Sequence, residues 1–274
     1  METQNKKAID HRSPITDHFL NFQVDHMTLL VAPEMYNVAY ALFRIIFGVK
    51  KEDIIYEKRK EWVKGQGEAS MTFAARIGRG LVGGEALENT IVAVVQPSEP
   101  KTQPSHVRAM LADHNAAAHW QHIALRVPDL LAFHRYALER GVNFITPILK
   151  DADEDLIQVF SGEWFFPGSS PSGMFFEFVQ RNPTEALLKK LEERNRQSWF
   201  RDKTFLGLYG EKETEYQKGN VTPFIDAELF NQIQNLLGAK KLWEITEENI
   251  RSAESLMVEY ARRKTAGKNP HRRI

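Results

Sequence analysis

Short apolar blocks and polar–apolar alternation fill the chain up to about residue 180, and helical spacing takes over beyond it. Phe22–Val31 reads as a strand. Pro33 then opens an apolar-periodic stretch to Phe47 that Gly48 closes, a helix start and stop in the expected places. Ile54–Arg59, Ser70–Ile77 and Thr90–Val95 read as strands separated by Gly-rich turns. The order then recurs. Gln121–Val127 is a strand, Pro128 and Asp129 begin a helix through Arg140 to Gly141, and strands follow at Val142–Ile145, Leu156–Phe160 and Met174–Gln180. A βαβββ pattern thus occurs twice, roughly 95 residues apart, each copy opening on an apolar strand with a histidine and a Pro-initiated helix.

From Asn182 the pattern predicts helices. Asn182 is the expected N-cap and Pro183 the first helical residue, with Leu187, Leu188, Leu191 and Arg194 on one face. Asp226 is expected to cap a second helix ending at Leu237 and Gly238, and Thr246–Arg263 is a third. The organisation expected is a flexible arm (1–20), a paired-module domain (21–182), a helical extension (183–264) and a basic tail (265–274).

Composition narrows the chemistry. Acidic and basic residues number 36 each in 274, so the chain lacks the basic excess of a nucleic-acid binder. It contains no cysteine, which excludes disulfide scaffolds, thiolate metal sites and cysteine nucleophiles. Any metal must therefore rest on His, Asp and Glu. No signal-peptide pattern opens the chain, and no window reaches the roughly 18 apolar residues of a membrane span, so a cytoplasmic globular protein is expected.

Three side chains interrupt apolar strands in a way that invites chemistry: His26, His122 and Glu177. Alternation places His122 with Ala124 and Arg126, and Glu177 with Phe175 and Val179. A carboxylate between two phenylalanines is costly to bury without a cation. Taken singly, a strand histidine is more often a satisfied core or surface residue, and a strand glutamate more often faces solvent. The equivalent places of the two histidines in the repeat, with the glutamate in the last strand, favour a shared metal. Two imidazoles and one carboxylate form a facial set that suits Fe(II) and leaves three positions open.

The stretches VDHMTLLV, WQHIALRVPDLLAFHRYALERGVNF, DADEDLIQVF and MFFEFVQR resemble, in order and spacing, the catalytic half of 4-hydroxyphenylpyruvate dioxygenase. The resemblance covers about residues 20–182 and implies an α+β fold of the vicinal oxygen chelate type: paired βαβββ modules forming a curved mixed sheet, here followed by a C-terminal helical segment. It implies Fe(II) on His26, His122 and Glu177, a substrate contact from Gln158, and a pocket lined by Phe160 and Phe175. It also implies oxidative decarboxylation and hydroxylation of a small 2-oxo acid by O2, with a C-terminal helix, here that of Phe230, over the pocket. A homodimer is expected by the same analogy. The chain departs from the family in several places. Only about 20 residues precede the DH strand, SEP stands for the NEP turn, and GLYGEKETEYQKGN replaces the GAGNF signature. The family's own substrate is therefore not implied.

Other readings remain open from sequence. A glyoxalase-like lyase or epimerase would need a fourth ligand, with Glu57, Glu61 and Glu68 as candidates. An extradiol dioxygenase would use the same triad with a catechol, and a metal-free binding protein would use none of it. His114 and His119 could form a second cluster with His122 and Asp113. Gly78-x-Gly80-x-x-Gly83 fits a dinucleotide loop literally, but the strand-like sequence after it favours a hairpin. The Trp164–Pro167 run could line a pocket or pack in the core. The expected partners are a small-molecule substrate and O2, with neither nucleic acid nor membrane.

Overall fold

A computed structural model describes residues 18–78, 81–82, 85–86, 90–151, 155–194, 211–212 and 214–267. The repeat becomes one eight-stranded sheet. Its strands are β1 (Gln23–Val31), β2 (Ile54–Lys60), β3 (Ala69–Ile77), β6 (Thr90–Val95), β7 (Ala118–Arg126), β8 (Leu149–Asp151), β9 (Leu156–Glu163) and β10 (Phe175–Arg181). The order across the sheet is β2-β3-β6-β1-β7-β10-β9-β8. Two short strands, β4 (Leu81–Val82) and β5 (Glu85–Ala86), pair with each other as a separate hairpin. The glycine-rich stretch thus opens a strand pair and not the helix that a dinucleotide loop needs.

The two halves of the sheet mirror one another. β1 pairs in parallel with β6, and β7 with β10; the outer strands of each half are antiparallel. β1 and β7 join the halves as an antiparallel pair. This is the paired βαβββ arrangement that the hydrophobic pattern predicts, an α+β fold built on one mixed sheet.

One face of each half is covered by a helix. Helix α1 (Pro33–Ile45) has proline at its start and buries Tyr36 and Phe43 against Phe73, Ala75, Val92 and Val94. Helix α3 (Leu130–Leu138) is capped by the Asp129 carboxylate, which accepts from Ala132 N at 3.0 Å. It buries Leu130, Phe133 and Ala137 against Val159 and Phe178. A third helix, α2 (His106–Asp113), has Ser105 at its N-cap and packs Val107, Met110 and Leu111 on Leu30 and Val95. The sequence pattern did not mark it, because its eight residues carry a weak amphipathic signal.

Three expectations need correction. Val142–Ile145 is no strand: Val142 and Phe144 form only isolated bridges to Ile225 and Ser161, and the strand of this module is Leu149–Asp151. The C-terminal segment supplies the reason, since Asn143 N donates to Phe224 O at 2.9 Å. Asn182 does not cap helix α4 (Glu185–Arg194). It adopts a positive φ of 51°, and the Thr184 hydroxyl accepts from Leu187 N at 3.3 Å instead. The Asp226 side chain does not cap the helix Ala227–Leu237; it binds Asn143, Tyr260 and Lys264.

The last helices therefore dock on the second module. Glu163 N donates to Thr222 O, Phe224 N donates to Glu163 O, and a Cβ on Gly162 would lie 2.2 Å from Pro223 O, so only glycine fits there. Phe230 stacks on Phe166 with centroids 6.1 Å apart. Lys212 is fully buried and bridges Glu163 and Glu215 at 2.8 and 2.9 Å, tying this segment to the end of β9. The arm residues 1–17 and the tail residues 268–274 lie outside the described residues.

Candidate metal centre

The face opposite α1 and α3 brings the three sequence candidates together. His26 lies on β1, His122 on β7 and Glu177 on β10, three adjacent strands. Register explains the meeting. His26 pairs with Ala124, Ala124 with Glu177, and His122 sits one step away opposite Thr28 and Phe175. Paired residues share a face, so the small Ala124 sits between His26 on one neighbouring strand and Glu177 on the other.

Glu177 Oε2 stands 3.2 Å from both His26 Nε2 and His122 Nε2, and the two Nε2 atoms are 3.4 Å apart. Among the described residues these three are the group of metal-capable side chains whose ligand atoms all lie within 4.8 Å of one another. An ion bound at about 2.1 Å spaces adjacent octahedral ligands about 3 Å apart, so the donor set fits a single divalent ion.

The histidine orientations support the same reading. His26 Nδ1 meets Asp25 Oδ1 at 3.1 Å, and His122 Nδ1 meets Gln121 Oε1 at 3.1 Å. Both rings thus direct Nε2 to the centre while Nδ1 is held from behind, the arrangement that fixes a ligating tautomer. The Thr28 hydroxyl lies 2.9 Å from His122 Nε2, so it borders the centre on the β1 side. Gln121 is itself oriented: its amide nitrogen donates to His106 Nε2 at 3.2 Å. Burial, with Lys212 nearby, pushes His106 down to about 3 and keeps it a neutral acceptor.

Without an ion the centre holds a proton. Burial disfavours a charged His26, but the Glu177 and Asp25 carboxylates outweigh it and raise the ring to about 10. Burial likewise works against the Glu177 carboxylate, and the adjacent His26 outweighs it, holding Glu177 at about 2. Burial lowers His122, which stays neutral between them.

The other sequence candidates are placed as follows. Phe175 is fully buried and stacks on the His122 ring with centroids 5.3 Å apart. Phe160 pairs with Glu177 across β9–β10, and its ring lies 6.3 Å from that of His122. Gln158 pairs with Val179 on the same face; it is 7% exposed, and its amide has no hydrogen-bond partner among the described residues. His114 and His119 stack on each other with centroids 4.3 Å apart and form no three-residue metal group with His122. Asp25, Gln121, Arg126 and Arg181 contact the site directly or through Asp25, and sequence reasoning did not single them out. The signal for Asp25 was present, a carboxylate beside a candidate histidine inside an apolar strand.

The mirror register identifies a further feature. Thr28 pairs with Ala93 as Ala124 pairs with Glu177, so Ala93 occupies in the first module the place of Glu177 in the second. Ala74 likewise corresponds to Phe160, and Thr72 to Gln158. The fourth-ligand candidates Glu57 and Glu61 are not near: Glu57 pairs with Arg59 on edge strand β2, and Glu61 accepts from Gly65 N. Glu68 precedes β3 and is exposed.

No family model matches the chain, and no curated protein matches it. Solved structures of similar fold include a mutant of 4-hydroxymandelate synthase from Streptomyces coelicolor, at 20% identity and TM-score 0.43 over 64% of this chain. They also include methylmalonyl-CoA epimerases from Streptomyces coelicolor (15% identity, TM-score 0.38, 59% of this chain) and Mycobacterium tuberculosis (21%, 0.37, 60%). The match spans 56% of the synthase's length, but 98% and 90% of the two epimerases. Among the described residues no helix is long and apolar enough to cross a membrane.

Proposed function

We infer that the protein is a non-haem Fe(II)-dependent dioxygenase acting on a small organic acid, a 2-oxo acid that is oxidatively decarboxylated and hydroxylated. The observation that carries this reading is a donor set of three, His26, His122 and Glu177, with Ala93 at the mirror position where a fourth ligand would stand. Three protein ligands leave three neighbouring positions on an octahedral ion, enough for two oxygens of a 2-oxo acid and for O2. A lyase or epimerase of the four-ligand kind needs a donor that an alanine methyl cannot supply.

Bound Fe(II) would supply the redox and Lewis-acid chemistry. In the overall reaction the substrate carboxylate leaves as CO2. One atom of O2 enters the new carboxylate and the other enters the organic remainder as a hydroxyl. The chain's own residues do the positioning. His26 and His122 present Nε2 to the centre, and Asp25 and Gln121 hold their tautomers. Glu177 offsets one cationic charge in a closed apolar setting. The unpartnered Gln158 amide, on the same face, hydrogen-bonds and orients the substrate. Phe160 and Phe175 exclude water on the His122 side.

The test is anaerobic Fe(II) loading of wild type and Glu177→Ala, followed by O2 uptake with a panel of 2-oxo acids and catechols. One iron per chain in wild type, its loss in the variant, and O2 uptake coupled to CO2 release from a 2-oxo acid are expected. Uptake with a catechol alone moves the assignment to an extradiol cleavage. Iron-free wild type overturns the reading.

A further inference from the structure

The three strands that carry the ligands also carry a second cluster. β1 contributes Asp25, β7 Arg126 and β10 Arg181. Asp25 is the extra residue of a bulge: Val24 pairs with Leu125 and His26 with Ala124, so Asp25 has no opposite number. A bulge re-aims a side chain that alternation would send to the other face. It lets two successive residues, Asp25 and His26, engage each other and the site.

The Asp25 side chain is fully buried, and each of its oxygens is committed. Oδ2 accepts from Arg126 Nε at 2.8 Å and Arg181 Nε at 2.8 Å, with Arg126 Nη2 at 2.7 Å. Oδ1 accepts from Arg181 Nη2 at 2.5 Å and from His26 Nδ1 at 3.1 Å. The two guanidinium groups remain partly in water, at 45% and 26% side-chain exposure, while the anion is dry. A dry carboxylate among so many charge-assisted donors is fixed in direction. It cannot rotate into the centre and become a ligand itself.

The two ligand histidines therefore differ behind the ring. His26 leans on an anion, and His122 leans on the neutral amide of Gln121. An anionic partner at Nδ1 makes Nε2 the stronger donor. We propose that Asp25, clamped by Arg126 and Arg181, is a positioning residue of the metal centre. It fixes the His26 ring, gives it the more basic Nε2 of the pair, and pins together the three strands that supply the ligands. This rests on the triad being a metal site, but not on which reaction the metal serves.

The test needs neither substrate nor O2. Co(II) is titrated into the full chain of wild type, Asp25→Asn and Arg126→Gln, following the visible d–d absorption, with circular dichroism and thermal melts run in parallel. Asp25→Asn keeps an oxygen for His26 Nδ1 but removes the charge. It is expected to weaken Co(II) binding by about 10- to 100-fold and to shift the absorption bands. Arg126→Gln leaves Arg181 in place and is expected to weaken binding less, with a band shift in the same direction and recovery in Arg126→Lys. If Asp25→Asn does not fold, Arg126→Gln against Arg126→Lys carries the test. A folded Asp25→Asn with wild-type affinity and spectrum overturns the proposal, as does an Arg126→Gln that only lowers the melting temperature. Wild type that binds no Co(II) overturns the metal site itself. Binding without O2 uptake in any substrate panel overturns only the dioxygenase reading.

Discussion

Strands β6 and β10 hold equivalent places in the two halves of the sheet, yet one carries Ala93 where the other carries Glu177. Their neighbours diverge in the same sense, with Ala74 against Phe160, Thr72 against Gln158 and Ile91 against Phe175. The helix-covered faces both stay apolar and aromatic, with the phenylalanine moved from one strand to the next. Phe73 on β3 faces Val94 and makes ring contacts with Tyr36, Tyr40 and Phe43 in the first module; Phe178 on β10 faces Val159 and packs on Phe133 with centroids 4.3 Å apart in the second. One backbone plan thus serves twice, with its packing face kept apolar and its opposite face specialised. The second module supplies Glu177, His122 and an aromatic wall. The first supplies His26 and the smaller side chains Ala74, Thr72 and Ala93 on the same face.

The comparison can be broken most sharply at Ala93. Ala93→Glu restores the mirror of Glu177 and is expected to keep stoichiometric metal while O2 uptake with the 2-oxo substrate falls by about 100-fold or more. Metal analysis and oxygen electrode traces decide it, and undiminished uptake would mean that the open positions do not face Ala93. On the packing side, Phe73→Ala and Phe178→Ala should each cost about 3–5 kcal/mol in denaturant unfolding of the metal-free protein. A cost below about 1 kcal/mol for either would show that the two cores are not equivalent.

A smaller effect is expected at Gln158. Gln158→Leu should raise KM by about 5- to 10-fold, the worth of one hydrogen bond of about 1–1.4 kcal/mol, and leave metal affinity unchanged. The gentlest test is pH. His26 is raised to about 10 without metal, so binding expels its proton and the affinity for Co(II) should climb with pH, by up to about one decade per unit between pH 6 and 8. Glu177 is already ionised there, being held near 2, and adds nothing to the slope. The same His26 shift stabilises the metal-free fold fully below its ordinary 6.5, and that contribution is lost as pH rises through about 10. A flat affinity profile would show that the resting centre carries no displaceable proton.

Much of the fold was legible because alternation and capping are local. β1, β3, β6, β9 and β10 begin within a residue of where the pattern places them, and α1 and α3 follow their Pro33 and Asp129 signals. The errors lie where distant chain intervened. Val142–Ile145 has strand-like residues, but the C-terminal segment takes Asn143 and Val142 as partners. Asp226 is a good N-cap by type, but Lys264, Tyr260 and Asn143 take its carboxylate.

Residue type and periodicity by themselves determined two βαβββ modules, a cysteine-free donor set and the strands on which His26, His122 and Glu177 sit. Those properties follow from side-chain spacing within ten residues or so. Only the tertiary structure decided that β1 and β7 lie side by side, which brings two histidines 96 positions apart to within 3.4 Å. Only it decided that Ala93 mirrors Glu177, and that Asp25 turns behind His26 between two arginines. Cross-strand register and a bulge govern these outcomes, and both are settled by the pairing of chains far apart in sequence.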